Sequence, residues 1–356
     1  MDHVSSNLRE TGIRTNVRRA VLGFSAAGCV LLPLLSASCG TTIKVYKEDP
    51  ARQKQWAKAV STHAMLSLLS TQTEGNDELK AGPVSKAVEE LPLTEEGLVA
   101  ECRSRLARQN WRRIESYTGK KGEASEGLYF EVWERKSPKH EVVFAFRGTN
   151  FDEPADWRSN FRWFRFFRKL PNQKQDQYDV VNREVLRIHK RLSQEARGGV
   201  IVFSATGHSL GGGLAQHAFY SCLPEMDRVL VFNTTPVTAY RDLSPAQRLK
   251  FRQTTYRDTF PCYRILRVHE NGEILEYVRR ITQTFFKQDS LIRAVEFQVE
   301  RDGNLVNRHY MSRLTRGILK QDLEADENAE KLRTKISKAK AQSAMDKPEP
   351  AVSAEP

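Results

Sequence analysis

Apolar positions along this chain fall into strand-like runs separated by segments of helical period. The runs predicted as strands are 127–135, 140–146, 200–203, 227–233 and 263–269. Apolar residues recur at helical spacing within 178–196, and a second helix is predicted at 214–220, directly behind the third run. Strands that alternate with helices are typical of an α/β fold with a mostly parallel central sheet and helices on both faces.

Helical patterns flank this α/β region, which we place at 121–320. Apolar residues recur every four positions from Trp56 to Leu68, which predicts an amphipathic helix inside an N-terminal helical region, 39–120, that caps the core. The final segment, 321–356, is rich in Ala, Glu, Lys and Gln and lacks aromatic residues. We expect it to be a low-complexity tail, a frayed helix that passes into disorder.

The segment between the third predicted strand and the following helix carries the clearest chemical signal. Gly207-His208-Ser209-Leu210-Gly211 fits the G-x-S-x-G nucleophile elbow, in which a serine sits in a strained turn from strand to helix. Glycines two positions either side remove side chains that would collide with neighbouring backbone. The helix behind the serine directs backbone N–H groups at the same point, which suits an anionic intermediate. The alternative is a glycine-rich turn that only packs a Rossmann-like unit.

A serine nucleophile needs a histidine as base and a carboxylate that fixes the histidine tautomer. In α/β hydrolases these groups follow in the order serine, acid, histidine. Three histidines follow Ser209, namely His217, His269 and His309. His217 lies within the helix behind the serine, and His269 precedes any acid of its own loop. We therefore predict His309 as the base.

The acid of this triad is expected just past the strand that ends at His269. Glu270 and Glu273 occupy that position, separated by an Asn-Gly turn. Asp258 and Asp289 lie away from the expected strand end and are the remaining candidates.

Several motifs of this chain resemble, in the same order, those of the class 3 lipases. They are Phe146-Arg147-Gly148-Thr149 at a strand end, Asp156-Trp157 with Asn160, and residues 207–215 around the elbow. The resemblance runs from about Leu128 to Leu319. It implies an α/β-hydrolase fold that hydrolyses carboxylic esters of lipids. We expect neither a metal nor a cofactor.

The resemblance also assigns residues to the site. It implies Thr149 as the oxyanion residue, assisted by the backbone N–H of Leu210. A strand end that carries a glycine and a hydroxyl residue fits that role, because an N–H and a hydroxyl can point at one oxygen. The family carries an aspartate directly after a glycine like Gly272, so Glu273 is preferred to Glu270 as the acid.

A basic and aromatic segment, 157–169, lies between these motifs. On a helix its cations share one narrow stripe and its aromatic residues cover most of the remaining circumference. Such a segment suits a lipid headgroup layer, and in the resembling family a mobile lid lies here. The alternative is an aromatic face buried in the core with a solvated basic edge. The cations of the stripe are Arg158, Arg162, Arg165 and Lys169.

The chain carries a formal net charge of +12, which favours anionic partners. Zinc-type cysteine spacings, RNA-binding aromatic signatures and a P-loop lysine are all missing from the sequence, so we expect no nucleic acid as partner. An anionic membrane surface is the favoured partner.

The N-terminus has the pattern of an export signal at 1–38. Arginines, among them the twin-arginine-like pair Arg18-Arg19, precede an uncharged apolar run at 20–38. Small residues then precede Cys39, which resembles a bacterial lipoprotein processing site. We predict that Cys39 anchors the protein to the cell envelope through a lipid. A single transmembrane anchor and simple secretion are the alternatives, and all three place the domain outside the cytoplasm.

Three cysteines, Cys102, Cys222 and Cys262, lie beyond the signal region. Because three is an odd number, at most one disulfide can form among them. Their spacing does not indicate which pair it would join.

These patterns together predict an exported serine hydrolase that cleaves lipid acyl esters through an acyl-enzyme on Ser209. The sequence does not separate acylglycerols from phospholipids as substrates. A catalytically silent lipid-binding or envelope scaffold with the same fold is one alternative. A serine acyltransferase or a peptidase with the same triad is another.

Overall fold

The computed structural model describes residues 45–47, 50–72, 79–120, 125–148, 177–222, 226–236, 244–246, 249, 264–276, 278–279, 292–299 and 305–345. Within these residues the chain forms one eight-stranded sheet. The strands are β1 (Val45–Lys47), β2 (Arg112–Thr118), β3 (Tyr129–Arg135), β4 (Glu141–Phe146), β5 (Val202–His208), β6 (Arg228–Phe232), β7 (Ile265–Glu270) and β8 (Ile292–Phe297). The helices are α1 (Pro50–Leu69), α2 (Glu95–Arg108), α3 (Gln177–Glu195), α4 (Leu210–Ser221) and α5 (Met311–Met345), with short 3-10 helices at Val88–Glu90 and Asn307–His309.

The sheet is mostly parallel and has the strand order β1-β8-β7-β6-β5-β4-β3-β2. Each pair of neighbouring strands from β4 to β8 is parallel. On the other side of β4, strands β2, β3 and β4 form an antiparallel meander. Helix α3 connects β4 to β5 and helix α4 connects β5 to β6, as parallel pairs require. The first strand, β1, pairs in parallel with β8 at the far edge.

Helices cover both faces of the sheet. Helices α3 and α4 pack on one face, where Val185 and Phe219 contribute to a core with Phe144. Helices α1, α2 and α5 pack on the opposite face, around side chains such as Leu66 and Leu314. The N-terminal region expected as a cap thus forms part of this second helical layer, because α1 lies against β4, β5 and β6.

This arrangement is an α/β-hydrolase fold, with a parallel sheet between two helical layers and an antiparallel pair at one edge. The predicted fold class is confirmed. Cys102 belongs to one layer and Cys222 to the other, so the sheet separates these two cysteines. None of the helices described here has the length and apolar content needed to cross a bilayer.

The last helix, α5, extends through most of the segment expected as a disordered tail. Its first half is held by packing along α1, where Leu314, Ile318 and Leu323 are buried. From residue 328 to 338 every side chain is exposed. Alanine, glutamate and lysine are strong helix formers, so the helix continues beyond the layer that anchors its start.

Several predicted features lie outside the described residues. They are the signal region 1–38, Cys39, Thr149, the basic and aromatic segment 157–169, Asp258, Cys262 and Asp289.

A buried histidine between α1 and β5 makes the stability of the fold depend on pH. His63 Nε2 lies 3.1 Å from Ser204 Oγ, and both side chains are buried. Burial, together with the charges of Arg228 and Arg135, lowers the pKa of His63 well below its usual value. The unfolded chain therefore binds a proton below about pH 6.5 that the folded chain does not bind, and stability falls as the pH decreases.

We expect His63→Gln to reduce this pH dependence by up to about 1.4 kcal/mol per pH unit below about pH 6. Urea denaturation at a series of pH values measures it. Ser204→Ala is the matched control, because it removes the hydroxyl partner but keeps the imidazole, and it should keep the wild-type slope. An unchanged slope in His63→Gln would show that His63 is not the titrating group.

Candidate active site

Ser209 occupies a strained turn between β5 and α4. Its backbone angles are φ 54° and ψ −120°, a region that residues other than glycine rarely adopt. The surrounding backbone holds the turn: Ser209 N–H donates to Phe232 O at 3.0 Å, and Ser209 O accepts from Thr235 N–H at 3.2 Å. This is the geometry of a nucleophile elbow, with its serine at the end of a central parallel strand.

The glycines of the elbow are required by close packing. A Cβ atom on Gly207 would lie 2.5 Å from the carbonyl carbon and oxygen of Gly211. A Cβ atom on Gly211 would lie 2.3 Å from Phe146 O at the end of β4. A side chain at either glycine would therefore collide with backbone atoms that cannot move aside, as the sequence motif predicts.

Helix α4 begins at Leu210, immediately after the serine. Its first N–H groups have no carbonyl partner within the helix, and the positive end of the helix dipole lies at the elbow. The backbone N–H of Leu210 lies at this helix N-terminus, where the sequence analysis expects an oxyanion donor. Its role in an oxyanion hole stays a prediction. Thr149, its expected partner, lies outside the described residues.

Glu273 and His309, 36 residues apart in the chain, meet in a hydrogen bond. His309 Nδ1 lies 2.7 Å from Glu273 Oε2, and both side chains are buried. Glu273 follows β7 at the start of a short helical stretch, and His309 ends the 3-10 helix that precedes α5. The structure therefore brings together the acid and the base that the sequence predicts.

His208 connects this pair to the elbow. The ring of His208, the residue before Ser209, lies 4.7 Å from the His309 ring, and its Nε2 lies 2.6 Å from His309 O. Burial and the nearby His309 lower the pKa of His208 to about 3, so the imidazole is neutral near pH 7. A neutral ring can approach a carbonyl oxygen this closely only as a donor, so Nε2 carries the proton. The loop of His309 is therefore hydrogen-bonded to the residue that precedes Ser209.

Asn233 fixes the two loops that carry Glu273 and His309. It directly follows β6 and has a positive φ of 40°, which asparagine tolerates better than most residues. Its Nδ2 donates to the carbonyl oxygens of Arg308 and His309, each at 3.2 Å. Its Oδ1 accepts from Glu270 N–H at 2.9 Å. One side chain thus ties the end of β7 to the loop of the histidine.

The carboxylate of Glu273 is ionised and fully engaged. Its Oε2 also accepts from Leu275 N–H at 2.8 Å, and its Oε1 forms an ion pair with Arg279. Burial raises the pKa of this carboxyl, but the Arg279 guanidinium and the hydrogen bond with His309 outweigh burial and lower it to about 2. The negative charge that orients and stabilises an imidazolium is therefore present at any physiological pH.

The other candidates from the sequence are placed elsewhere. The carboxylate of Glu270 accepts from Val299 N–H at 3.0 and 3.1 Å and so fixes the chain after β8. His217 lies on α4, edge-on to Tyr178 with ring centroids 4.7 Å apart. His269 lies within β7, buried, opposite Glu296 of β8.

Three residues of the site were not predicted, namely His208, Asn233 and Arg279. His208 is part of the elbow motif, but the motif alone does not show that its ring reaches the base. The sequence does contain a signal for Asn233, because an asparagine, which tolerates positive φ, stands at the end of an apolar strand. Arg279 has no sequence signal, because the chain is rich in arginine.

Neither a protein-family model nor a protein of curated function matches this sequence. Solved structures do match, and one is the Lip2 lipase from Yarrowia lipolytica, with 13% identity and a TM-score of 0.44 over 73% of this chain and 84% of that chain. Another is the M37 lipase, with 14% identity and a TM-score of 0.34 over 76% of this chain and 80% of that chain.

Acetyl xylan esterase 1 from Thermoanaerobacterium sp. JW/SL YS485 also matches, with 13% identity and a TM-score of 0.23 over 80% of this chain and 98% of that chain. Identities and TM-scores this low transfer no activity to this chain. The function has to be argued from the site itself.

Proposed function

We propose that this protein is a serine hydrolase that cleaves carboxylic esters through an acyl-enzyme on Ser209. The observation that carries the proposal is the bonded Glu273–His309 pair, whose histidine is linked through its backbone to His208, the neighbour of a serine in the strained elbow conformation. A strained serine alone would be a packing feature, and a buried Glu–His pair alone would be a structural contact. Their juxtaposition on an α/β-hydrolase sheet supports a catalytic triad.

The roles of the three residues follow from their chemistry. Ser209 Oγ attacks the ester carbonyl carbon while His309 Nε2 accepts the hydroxyl proton. The carbon–oxygen bond to the alcohol then breaks, and His309 returns the proton to the departing alkoxide. A water molecule repeats the sequence on the acyl-enzyme: its proton passes to His309, its oxygen attacks the acyl carbon, and Ser209 leaves with the proton. Glu273 keeps Nε2 unprotonated in the resting state and stabilises the imidazolium.

The N-terminus of α4 supports the same reaction. The tetrahedral intermediate carries a negative charge on the former carbonyl oxygen, and a backbone donor at the helix start stabilises it. Leu210 N–H is the donor that we propose, with Thr149 completing the oxyanion hole.

For the substrate we propose the acyl ester of a lipid, acylglycerol or phospholipid. The net charge of +12 and the basic, aromatic segment 157–169 support binding at an anionic lipid surface. The apolar leader and Cys39 support a lipid-anchored protein of the cell envelope.

A fluorophosphonate probe tests the proposal, because it phosphonylates an activated serine and ignores ordinary hydroxyls. We expect stoichiometric labelling of Ser209 in the wild-type protein, read by mass spectrometry of the labelled peptide. Ser209→Ala should abolish labelling, whereas Ser221→Ala, at the end of α4, should keep it. A folded wild-type protein that stays unlabelled would contradict the proposal and favour the silent scaffold.

Labelling alone does not identify the substrate. A panel of esters from short soluble chains to phospholipid and triacylglycerol emulsions does so. Turnover that rises at the lipid interface would support the lipid proposal, and turnover confined to soluble short esters or to peptides would contradict it.

A further inference from the structure

Arg279 is a buried cation that contacts the predicted acid from the side opposite the histidine. Its guanidinium is paired with Glu273 Oε1, and only 4% of its side chain is exposed. Its Nη1 donates to Thr234 O at 2.9 Å. Thr234 adjoins Asn233 and Thr235, the residues that bind the loop of His309 and the carbonyl of Ser209. Arg279 therefore connects the acid to the segment that supports the base and the nucleophile.

The two oxygens of Glu273 have different partners. Oε2 is bound by His309 Nδ1 and Leu275 N–H, and Oε1 is bound by Arg279. A glutamate has one more rotatable bond than an aspartate, so its carboxylate has more freedom to turn away from the imidazole. A guanidinium that is itself fixed by a backbone carbonyl removes this freedom, since its rigid plane holds one nitrogen on Thr234 O and the other on Oε1.

We propose that Arg279 is a positioning residue of the triad, which binds Oε1 of Glu273 and so directs Oε2 at His309. This inference rests on the proposed function only where it concerns turnover. The contact between Arg279, Glu273 and His309 exists whatever the protein hydrolyses. Arg279 contacts the predicted acid, and we propose that its effect on a substrate is exerted through Glu273.

The positive charge of Arg279 predicts an effect on the pH profile that a purely structural role of this side chain would not produce. Among the described residues, the charged and titratable groups around Glu273 are Arg279 and Glu276 on its own helical stretch, His208 beside the elbow, and Arg308 and His309 on the 3-10 helix. Arg279 is the cation bonded to the carboxylate. Without it, a buried carboxylate binds a proton more readily, and the acid limb of the pH profile moves to higher pH.

The test replaces Arg279 by Met and by Lys, and uses a soluble ester so that membrane binding does not contribute. We expect Arg279→Met to lower kcat about 10²-fold with little change in KM, and to move the acid limb of kcat/KM to higher pH. Arg279→Lys keeps the charge but loses the planar fork, so its acid limb should stay at the wild-type position while kcat falls about 10-fold. Active-site titration with the fluorophosphonate corrects kcat for any misfolded fraction.

Arg264→Met is the matched control. Arg264 is also a buried arginine, which lies at the start of β7, whereas Glu273 follows the end of that strand, and it donates to the carbonyl oxygens of Met226 and Asp227. Its loss should lower stability in a comparable way but leave the acid limb unchanged. If Arg279→Met does not fold, Arg279→Lys tests the positioning role by itself. A wild-type kcat in Arg279→Lys would then overturn the proposal.

Proton NMR gives a readout that does not need turnover. The His309 Nδ1 proton, bonded to Glu273, should give a resonance far downfield, which we expect to be lost or shifted upfield in Arg279→Met and kept in Arg264→Met. If this change occurs but the wild-type protein neither binds the fluorophosphonate nor cleaves esters, the proposed function fails and the positioning role stands. If both the resonance and the acid limb of Arg279→Met match the wild type, the positioning role is wrong.

Discussion

Ser209→Ala is expected to lower kcat for a soluble ester by a factor on the order of 10⁶, and His309→Ala by a similar factor. The two side chains act as a unit, since an alkoxide cannot form without the base and the base has no proton to accept without the serine. The double variant should therefore be no worse than either single one. Steady-state kinetics on purified protein, with the fluorophosphonate label as a check of contamination, measures all three.

The thermal transition serves as the control for these variants. Ser209→Ala keeps the strained backbone and removes one hydroxyl, so its melting temperature should stay close to that of the wild type. Near-wild-type turnover in His309→Ala would require the triad to be rebuilt around another histidine. Additive losses in the double variant would mean that the two residues act in separate steps.

Glu273→Gln is expected to lower kcat about 10⁴-fold, because an amide cannot keep the histidine in the required tautomer or stabilise its charged form. The same change leaves Arg279 buried beside a neutral group, which should cost about 3–5 kcal/mol of unfolding free energy. Kinetics at a temperature well below the melting transition and urea denaturation separate the two effects.

Glu270→Gln is the matched control for this prediction. Glu270 is buried three residues earlier, and its carboxylate accepts a backbone N–H that the oxygen of an amide can still accept. We expect a loss of about 1–2 kcal/mol in stability and a change in kcat of only a few fold. A larger kinetic loss in Glu270→Gln than in Glu273→Gln would move the acid to Glu270.

The sequence was sufficient for the parts of the molecule that depend on local pattern or on chain order. Strands β3, β4, β6 and β7 and helices α1, α3 and α4 lie close to their predicted positions, because buried parallel strands and amphipathic helices have distinct apolar periods. The apolar run 200–203 indicates only the start of β5, which spans Val202–His208. His309 could be chosen because the order of a hydrolase triad restricts the histidine to a few candidates after Ser209. The choice of Glu273 over Glu270 came from the resemblance to the class 3 lipases.

Other features depend on contacts that no local pattern encodes. β1 and β8 pair although they are the first and the last of the described strands along the chain, and β1 is only three residues long. The hydrogen bonds of Asn233 and the ion pair of Arg279 form only when β6, β7 and the loop of His309 are adjacent. A single sequence does not show which of many arginines faces a buried carboxylate.

The packing of α5 along α1 sets the time at which this site can first exist. His309 lies only two residues before α5, and α5 is held by a helix from the beginning of the described chain. During synthesis the elbow of Ser209 can be complete while the base has not yet left the ribosome. We therefore expect the Glu273–His309 pair to form only after α5 has left the ribosome and packed along α1.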